Sequence, residues 1–101
     1  MSASAAIRRV MIRGRVQGVG FRAWTEHEAR RRALEGWVRN RRDGSVEAVF
    51  AGPPEMVASM IAACRHGPTL AAVDVVDEHA AGHDDLARRV PGEKFSLLAT
   101  A

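Results

Sequence analysis

The 101-residue chain reads as an α+β sandwich, two helices on one face of a mostly antiparallel sheet. Three observations predict it. Apolar residues alternate from Ile7 to Val16 with the period of a half-buried strand. Only two segments carry a convincing apolar helical period, one from Phe21 to Leu34 and one from Val57 to Cys64. Asp43-Gly44 marks a hairpin soon after the first helix, so the chain turns straight back where a doubly wound sheet would need a second crossover.

The first strand puts Val10, Ile12 and Val16 on one side and Arg9, Met11, Arg13 and Arg15 on the other. A glycine-rich stretch follows, and then Phe21, Thr25, Ala29 and Ala33 recur at steps of four, flanked by Trp24 and Leu34, with Arg30, Arg31 and Arg32 left toward solvent. Gly36 is expected to end this helix, and Trp37 to Asn40 to form a short strand. Arg41 to Gly44 is the turn, and Ser45 to Ala51 returns with Val46, Ala48 and Phe50 alternating against Glu47, Val49 and Ala51. Pro53-Pro54-Glu55 starts the second helix, whose stripe is Val57, Met60, Ile61 and Cys64, and His66-Gly67-Pro68 stops it. Ala72 to Glu78 reads as a strand and Phe95 to Ala99 as a last short one, with the polar stretch Ala80 to Lys94 between them expected to be an exposed loop. The order β-α-β-β-α-β with an added edge strand is the split βαβ pattern of ferredoxin-like folds, and residues 1–101 are expected to form a single domain.

Composition narrows the function. With 47% hydrophobic and 27% charged residues the chain has the balance of a globular domain, and no segment approaches the roughly 18 apolar residues of a membrane span. Met1 to Ala6 is too short and polar to act as a signal peptide, so the default expectation is a cytoplasmic location. The lone Cys64 fits a small core residue better than a disulfide, zinc or redox role. The net charge of +3 is unevenly spread: residues 1–42 carry 11 basic and 3 acidic side chains, a balance of +8, whereas the remainder carries 4 and 9, a balance of −5. Positive potential therefore gathers around the glycine stretch and would steer an anion toward it, although only one or two arginines are expected to touch a ligand.

The stretch Gly14-Arg15-Val16-Gln17-Gly18-Val19-Gly20-Phe21-Arg22 joins a strand to a helix N-terminus. Glycines there let backbone N–H groups converge, the helix end adds unpaired donors, and Arg22 in the first turn brings a guanidinium suited to phosphate or carboxylate. Other sharp readings fare worse. Gly18-Val19-Gly20-Phe21-Arg22-Ala23 matches the dinucleotide fingerprint, but Asp43 lies in a hairpin rather than at the end of a parallel strand. No Lys-Ser or Lys-Thr follows the glycines, which removes a Walker loop, and His27-Glu28 lacks the second histidine of a zinc-protease helix. His79, His83, Asp84 and Asp85 read as solvated side chains rather than metal ligands, and no Ser-His-Asp or Cys-His arrangement is supported. A nucleic-acid module is the rival from another class, on the arginine-rich N-terminal half, but the third strand lacks the aromatic run that stacks bases.

The stretch Gly14 to Arg22, joined with Gly36-Trp37-Val38-Arg39-Asn40 and Asp43-Gly44-Ser45-Val46-Glu47, resembles the acylphosphatase family, with the likeness strongest over residues 7–52, looser over 53–78 and faint beyond Ala80. The resemblance implies the fold already read and hydrolysis of acyl phosphates to carboxylate and inorganic phosphate, with neither metal, cofactor nor covalent side-chain nucleophile. It implies that the phosphate sits on the backbone amides of Arg15, Val16, Gln17, Gly18, Val19 and Gly20 and on Arg22, while Asn40 orients the attacking water. The expected partner is a small acyl phosphate, with no nucleic acid or membrane, and the expected state is a monomer. A second reading within the family is an accessory domain without its own turnover, as in similar domains at the front of hydrogenase-maturation carbamoyl transferases; this chain carries neither zinc-binding cysteines nor a transferase portion.

Overall fold

The computed structural model describes residues 5–101. The reading of the first residues as no signal peptide therefore falls mostly on 1–4, outside the described part. Five strands and three helices follow in the order β1 (Ala6–Arg15), α1 (Phe21–Arg31), β2 (Glu35–Asn40), β3 (Val46–Gly52), α2 (Pro54–Cys64), β4 (Ala72–Ala80), α3 (His83–Leu86) and β5 (Phe95–Leu97). The strands form one sheet in the order β4-β1-β3-β2-β5. All pairings are antiparallel except that of β2 with β5, the added edge strand. This is the ferredoxin-like α+β architecture that the pattern of elements predicts.

One pleat face carries Val10, Ile12, Val38, Val46, Ala48 and Phe50, and α1 and α2 close over it with Phe21, Ala29, Val57, Met60, Ile61 and Cys64. These residues, together with Leu34 and Phe95, are buried as a single cluster. Burial in that apolar setting pushes the Cys64 thiol up to about 12, which fits an inert core residue. The two valines Val73 and Val76 of β4 both pack on this core although they are three residues apart. The register explains it: Arg13 pairs with Val75 and Gly14 with Val73, so Asp74 is an extra residue that shifts the pleat by one. At Gly14 the partner strand comes so close that a side chain would run into the Ala72 carbonyl.

Two expectations need correcting. The first helix does not run to Leu34 and Gly36 does not end it. It stops at Arg31, and Ala33, in a left-handed conformation at φ 56°, makes the turn. The Ala33 and Leu34 amides donate to the Arg30 and Ala29 carbonyls, closing the helix end and delivering Leu34 into the core. Gly36 lies inside β2, where the Val49 carbonyl occupies the space a Cβ would need.

The stretch Ala80 to Lys94 is likewise more than an exposed loop. It contains α3, whose Leu86 is buried with Trp37, Val49 and Ala51 on the sheet face opposite α1 and α2. Trp37 Nε1 donates to the Asp85 carbonyl at 2.6 Å, tying the segment to β2. A single leucine and one distant tryptophan anchor it, so no local apolar period announces it.

Candidate active site

The glycine stretch leaves the end of β1 and enters α1 as a tight turn. Gly18 and Gly20 have φ of 73° and 79°, and a Cβ at either position would meet nothing within 4 Å, so backbone conformation rather than crowding calls for glycine. Gly20 is also the residue that begins α1; no side chain caps that end and the first turn holds no acidic residue. The amides of the first turn thus face outward without a side-chain acceptor, at the positive end of an 11-residue helix.

Above this turn opens a cleft of about 340 Å³, lined by Val16, Gln17, Gly18, Gly20, Phe21, Arg22, Ala23, Asn40 and Leu97. Of the residues the sequence nominates, the fold thus brings Val16, Gln17, Gly18, Gly20, Arg22 and Asn40 to one place. Arg15 stands exposed at the strand end, paired with Ala72, and Val19 leans on the core; neither lines the cleft. Phe21, Ala23 and Leu97 join the cleft without being nominated by the sequence. Phe21 and Ala23 flank Arg22 on the same turn, whereas Leu97 comes from the distant edge strand and has no local signal.

Asn40 arrives from the other side. It is the last residue of β2, paired with Val46, and its carbonyl accepts from the Ala101 amide at 3.0 Å, while the Arg42 amide donates to the Ala101 carbonyl at 2.9 Å. Its backbone is held on both flanks, and the residue lines the cleft. The hairpin beyond it is stiffened by Asp43, which accepts from the Ser45 hydroxyl at 2.6 Å and the Ser45 amide at 2.9 Å. Those bonds, the hydroxyl first, hold the Asp43 carboxyl below its ordinary range.

The arginines sort themselves by their partners. Arg8, Arg9, Arg13, Arg30, Arg31, Arg32, Arg39 and Arg41 all make ion pairs. Arg9, Arg39 and Arg41 converge on Glu47, whose side chain is only 4% exposed on the sheet face opposite the helices. Burial there raises the Glu47 pKa, but hydrogen bonds from Arg9 and Arg39 outweigh it and leave the carboxyl below its ordinary value. Among the described residues, the N-terminal arginines outside these pairs are Arg15, Arg22 and Arg42, and of these Arg22 alone lines the cleft. No group of three or more His, Cys, Asp or Glu side chains placed to hold a metal occurs among the described residues, so His79 and His83 do not form one.

A family model described as Acylphosphatase matches residues 8–90. The chain belongs to the acylphosphatase family. An acylphosphatase of Bradyrhizobium diazoefficiens is 64% identical over 97 residues, covering 96% of this chain and 98% of the relative. Among solved structures, acylphosphatase from Bacillus subtilis superposes with a TM-score of 0.79 at 34% identity, over 94% of this chain and 99% of that one. An acylphosphatase from Coxiella burnetii gives a TM-score of 0.80 at 28% identity, over 93% of each chain. The match to a relative of nearly equal length disfavours both the accessory-domain reading and the nucleic-acid reading.

Proposed function

We propose that the chain hydrolyses acyl phosphates in this cleft, with the phosphate held by backbone amides of those residues of the Arg15-to-Gly20 stretch that line it, Val16, Gln17, Gly18 and Gly20, and by Arg22, and the attacking water held by Asn40. The activity follows from family membership. The assignment of roles rests on one observation above the others: Arg22 is the cleft's arginine without an ion-pair partner among the described residues, and it shares the cleft with Asn40 and with uncapped amides. A guanidinium free of carboxylates can give both of its parallel N–H groups to phosphate oxygens.

The chemistry asks for little else. Water oxygen attacks phosphorus, the bond from phosphorus to the acyl oxygen breaks, and carboxylate and inorganic phosphate depart. The leaving carboxylate has a conjugate-acid pKa of about 4, so it needs no general acid at neutral pH. Charge on the equatorial oxygens is met by the ring of N–H donors and Arg22, which in phosphoryl transfer is the main contribution a protein makes. The proton of the attacking water has a ready acceptor in the substrate's own phosphate oxygen. Asn40, uncharged and both donor and acceptor, suits the orienting of water better than the removal of its proton.

This reading takes residues 1–101 as one domain, working without metal or cofactor. It takes the enzyme as a monomer, with Gln17, Gly18, Gly20, Arg22 and Asn40 meeting in one cleft of the chain, and as cytoplasmic, where a reduced buried Cys64 is at home. No RNA partner is included: Arg9, Arg39 and Arg41 are spent on Glu47, and Trp37 is buried instead of open for stacking. The decisive experiment is hydrolysis of a simple acyl phosphate by the purified protein, beside a phosphate monoester. Rapid turnover of the first and little of the second is expected, with activity unchanged by a chelator. Equal rates on both would contradict the leaving-group argument, and activity lost in chelator and restored by Mg²⁺ or Zn²⁺ would contradict the metal-free one.

A further inference from the structure

Gln17 sits in the middle of the phosphate loop, yet its side chain is committed elsewhere. Nε2 donates to the Arg41 carbonyl at 2.7 Å and to the Ser45 carbonyl at 2.8 Å, across the hairpin that follows Asn40. Both partners are carbonyl oxygens, so only the NH₂ end of the amide can serve and both of its protons are used. The hairpin does not need these bonds to close. The Arg41 carbonyl already accepts from the Gly44 amide at 3.1 Å, and the Ser45 carbonyl from the Arg41 amide at 2.8 Å. What the Gln17 side chain adds is a link between two elements that no strand pairing joins at this point: the loop that carries the amides and the strand end that carries Asn40.

From this we infer that Gln17 is a positioning residue, whose side chain sets the distance between the bound phosphate and the water on Asn40. The inference rests on the role proposed for Asn40. Its physical content is that in-line attack depends steeply on the placement of the nucleophile, so that a shift of about 1 Å can cost on the order of 10² in rate. Loss of the link should therefore act on turnover. It should leave phosphate binding nearly intact, because the amides of the loop and Arg22 lie on the near side of the link.

The test is a double-mutant cycle on Gln17→Met and Asn40→Ala, reading kcat on a simple acyl phosphate, the inhibition constant of inorganic phosphate and the melting temperature. Methionine keeps the length of glutamine and removes both donors. Gln17→Met is expected to lower kcat by about 10-fold or more and to leave phosphate inhibition within about threefold. In the Asn40→Ala background the same change should cost less than about threefold, since the water it would misplace is no longer held. Gln17→Asn, which keeps the donors on a shorter arm unable to span both carbonyls, should also be slow and serves if the methionine variant does not fold. Parent-like kcat in these variants, penalties that multiply in the double variant, or a parallel loss of phosphate affinity would each overturn the inference. If Asn40→Ala is slow and the Gln17 variants are not, the Gln17 inference alone fails. If Asn40→Ala is itself nearly as active as the parent, the water-holding role fails and the positioning role falls with it.

Discussion

Two arginine-bearing regions of this molecule place the same side chain in opposite surroundings. On the sheet face opposite the helices, Arg9, Arg39 and Arg41 close on the buried carboxylate of Glu47, and Arg39 also lies over the Trp37 ring at 4.9 Å. Their charge is consumed within the fold. At the cleft, Arg22 stands beside glycine turns and uncapped amides with no carboxylate in its turn of the helix. An arginine is structural where the fold supplies a counter-charge and is left open to an outside anion, as proposed for Arg22, where the fold withholds one. Arginine count and net charge do not distinguish the two cases.

That contrast breaks most sharply at the cleft. Arg22→Ala is expected to depress turnover and weaken inhibition by inorganic phosphate together, because the guanidinium meets the phosphate in ground and transition states alike. Asn40→Ala should lower kcat by a factor on the order of 10² or more, about 2.7 kcal/mol, while phosphate inhibition stays within about threefold. Steady-state kinetics on both folded variants checks this, and equal loss of phosphate affinity in the two would move Asn40 into the cradle.

The same region should report its ligand through stability. Inorganic phosphate at about 100 times its dissociation constant is expected to stabilise the native state by about 2.7 kcal/mol and to inhibit competitively. A melting temperature indifferent to phosphate in the parent would count against the cradle; in Arg22→Ala a much smaller rise is expected at the same phosphate concentration.

The opposite face should answer in stability alone. Leu86→Ala removes the buried anchor of α3 from Trp37 and Val49 and is expected to cost about 2 kcal/mol, near the low end for a buried leucine because the patch is thin. Denaturant unfolding measures the loss, and kcat should be unchanged.

Glu47→Gln is the smallest and the most specific of these changes. The Glu47 carboxyl has a folded-state pKa below its ordinary value, so its ionised form stabilises the fold above the unfolded pKa near 4.5 and that contribution fades as the pH falls through the lower folded value. At pH 7 the glutamine variant should be less stable by about 1 kcal/mol, the scale of a net hydrogen-bond loss. The gap should narrow on acidification through that window. A gap that is constant between pH 7 and pH 3 would mean that the three arginines do not depend on its charge.

Much of the proposed site is legible in the sequence because its proposed phosphate contacts are mostly backbone. Glycines at 18 and 20 and Arg22 at the helix start are read from local pattern, since left-handed turns and helix starts have compositional signatures, whereas Asn40 is nominated only through the resemblance to the family. The two departures from expectation share a cause. Gly36 looks like a helix stop because glycine is the usual left-handed residue, whereas here Ala33 takes that conformation and Gly36 answers to a carbonyl on the neighbouring strand. Leu86 gives no local signal because its partner is Trp37, far away in sequence.

The sequence by itself determined the alternation of the first and third strands, the stripes of the two long helices, the hairpin and the glycine turn, and hence the order of all elements but the short α3, for all of these depend on residues within a few positions of one another. Only the tertiary structure decided which arginines would be neutralised, where Leu97 would join the cleft, and that Gln17 would reach the Arg41 and Ser45 carbonyls. Those are contacts between residues distant along the chain, created when the sheet brings β5 beside β2 and the hairpin beside the loop, and no local periodicity encodes them.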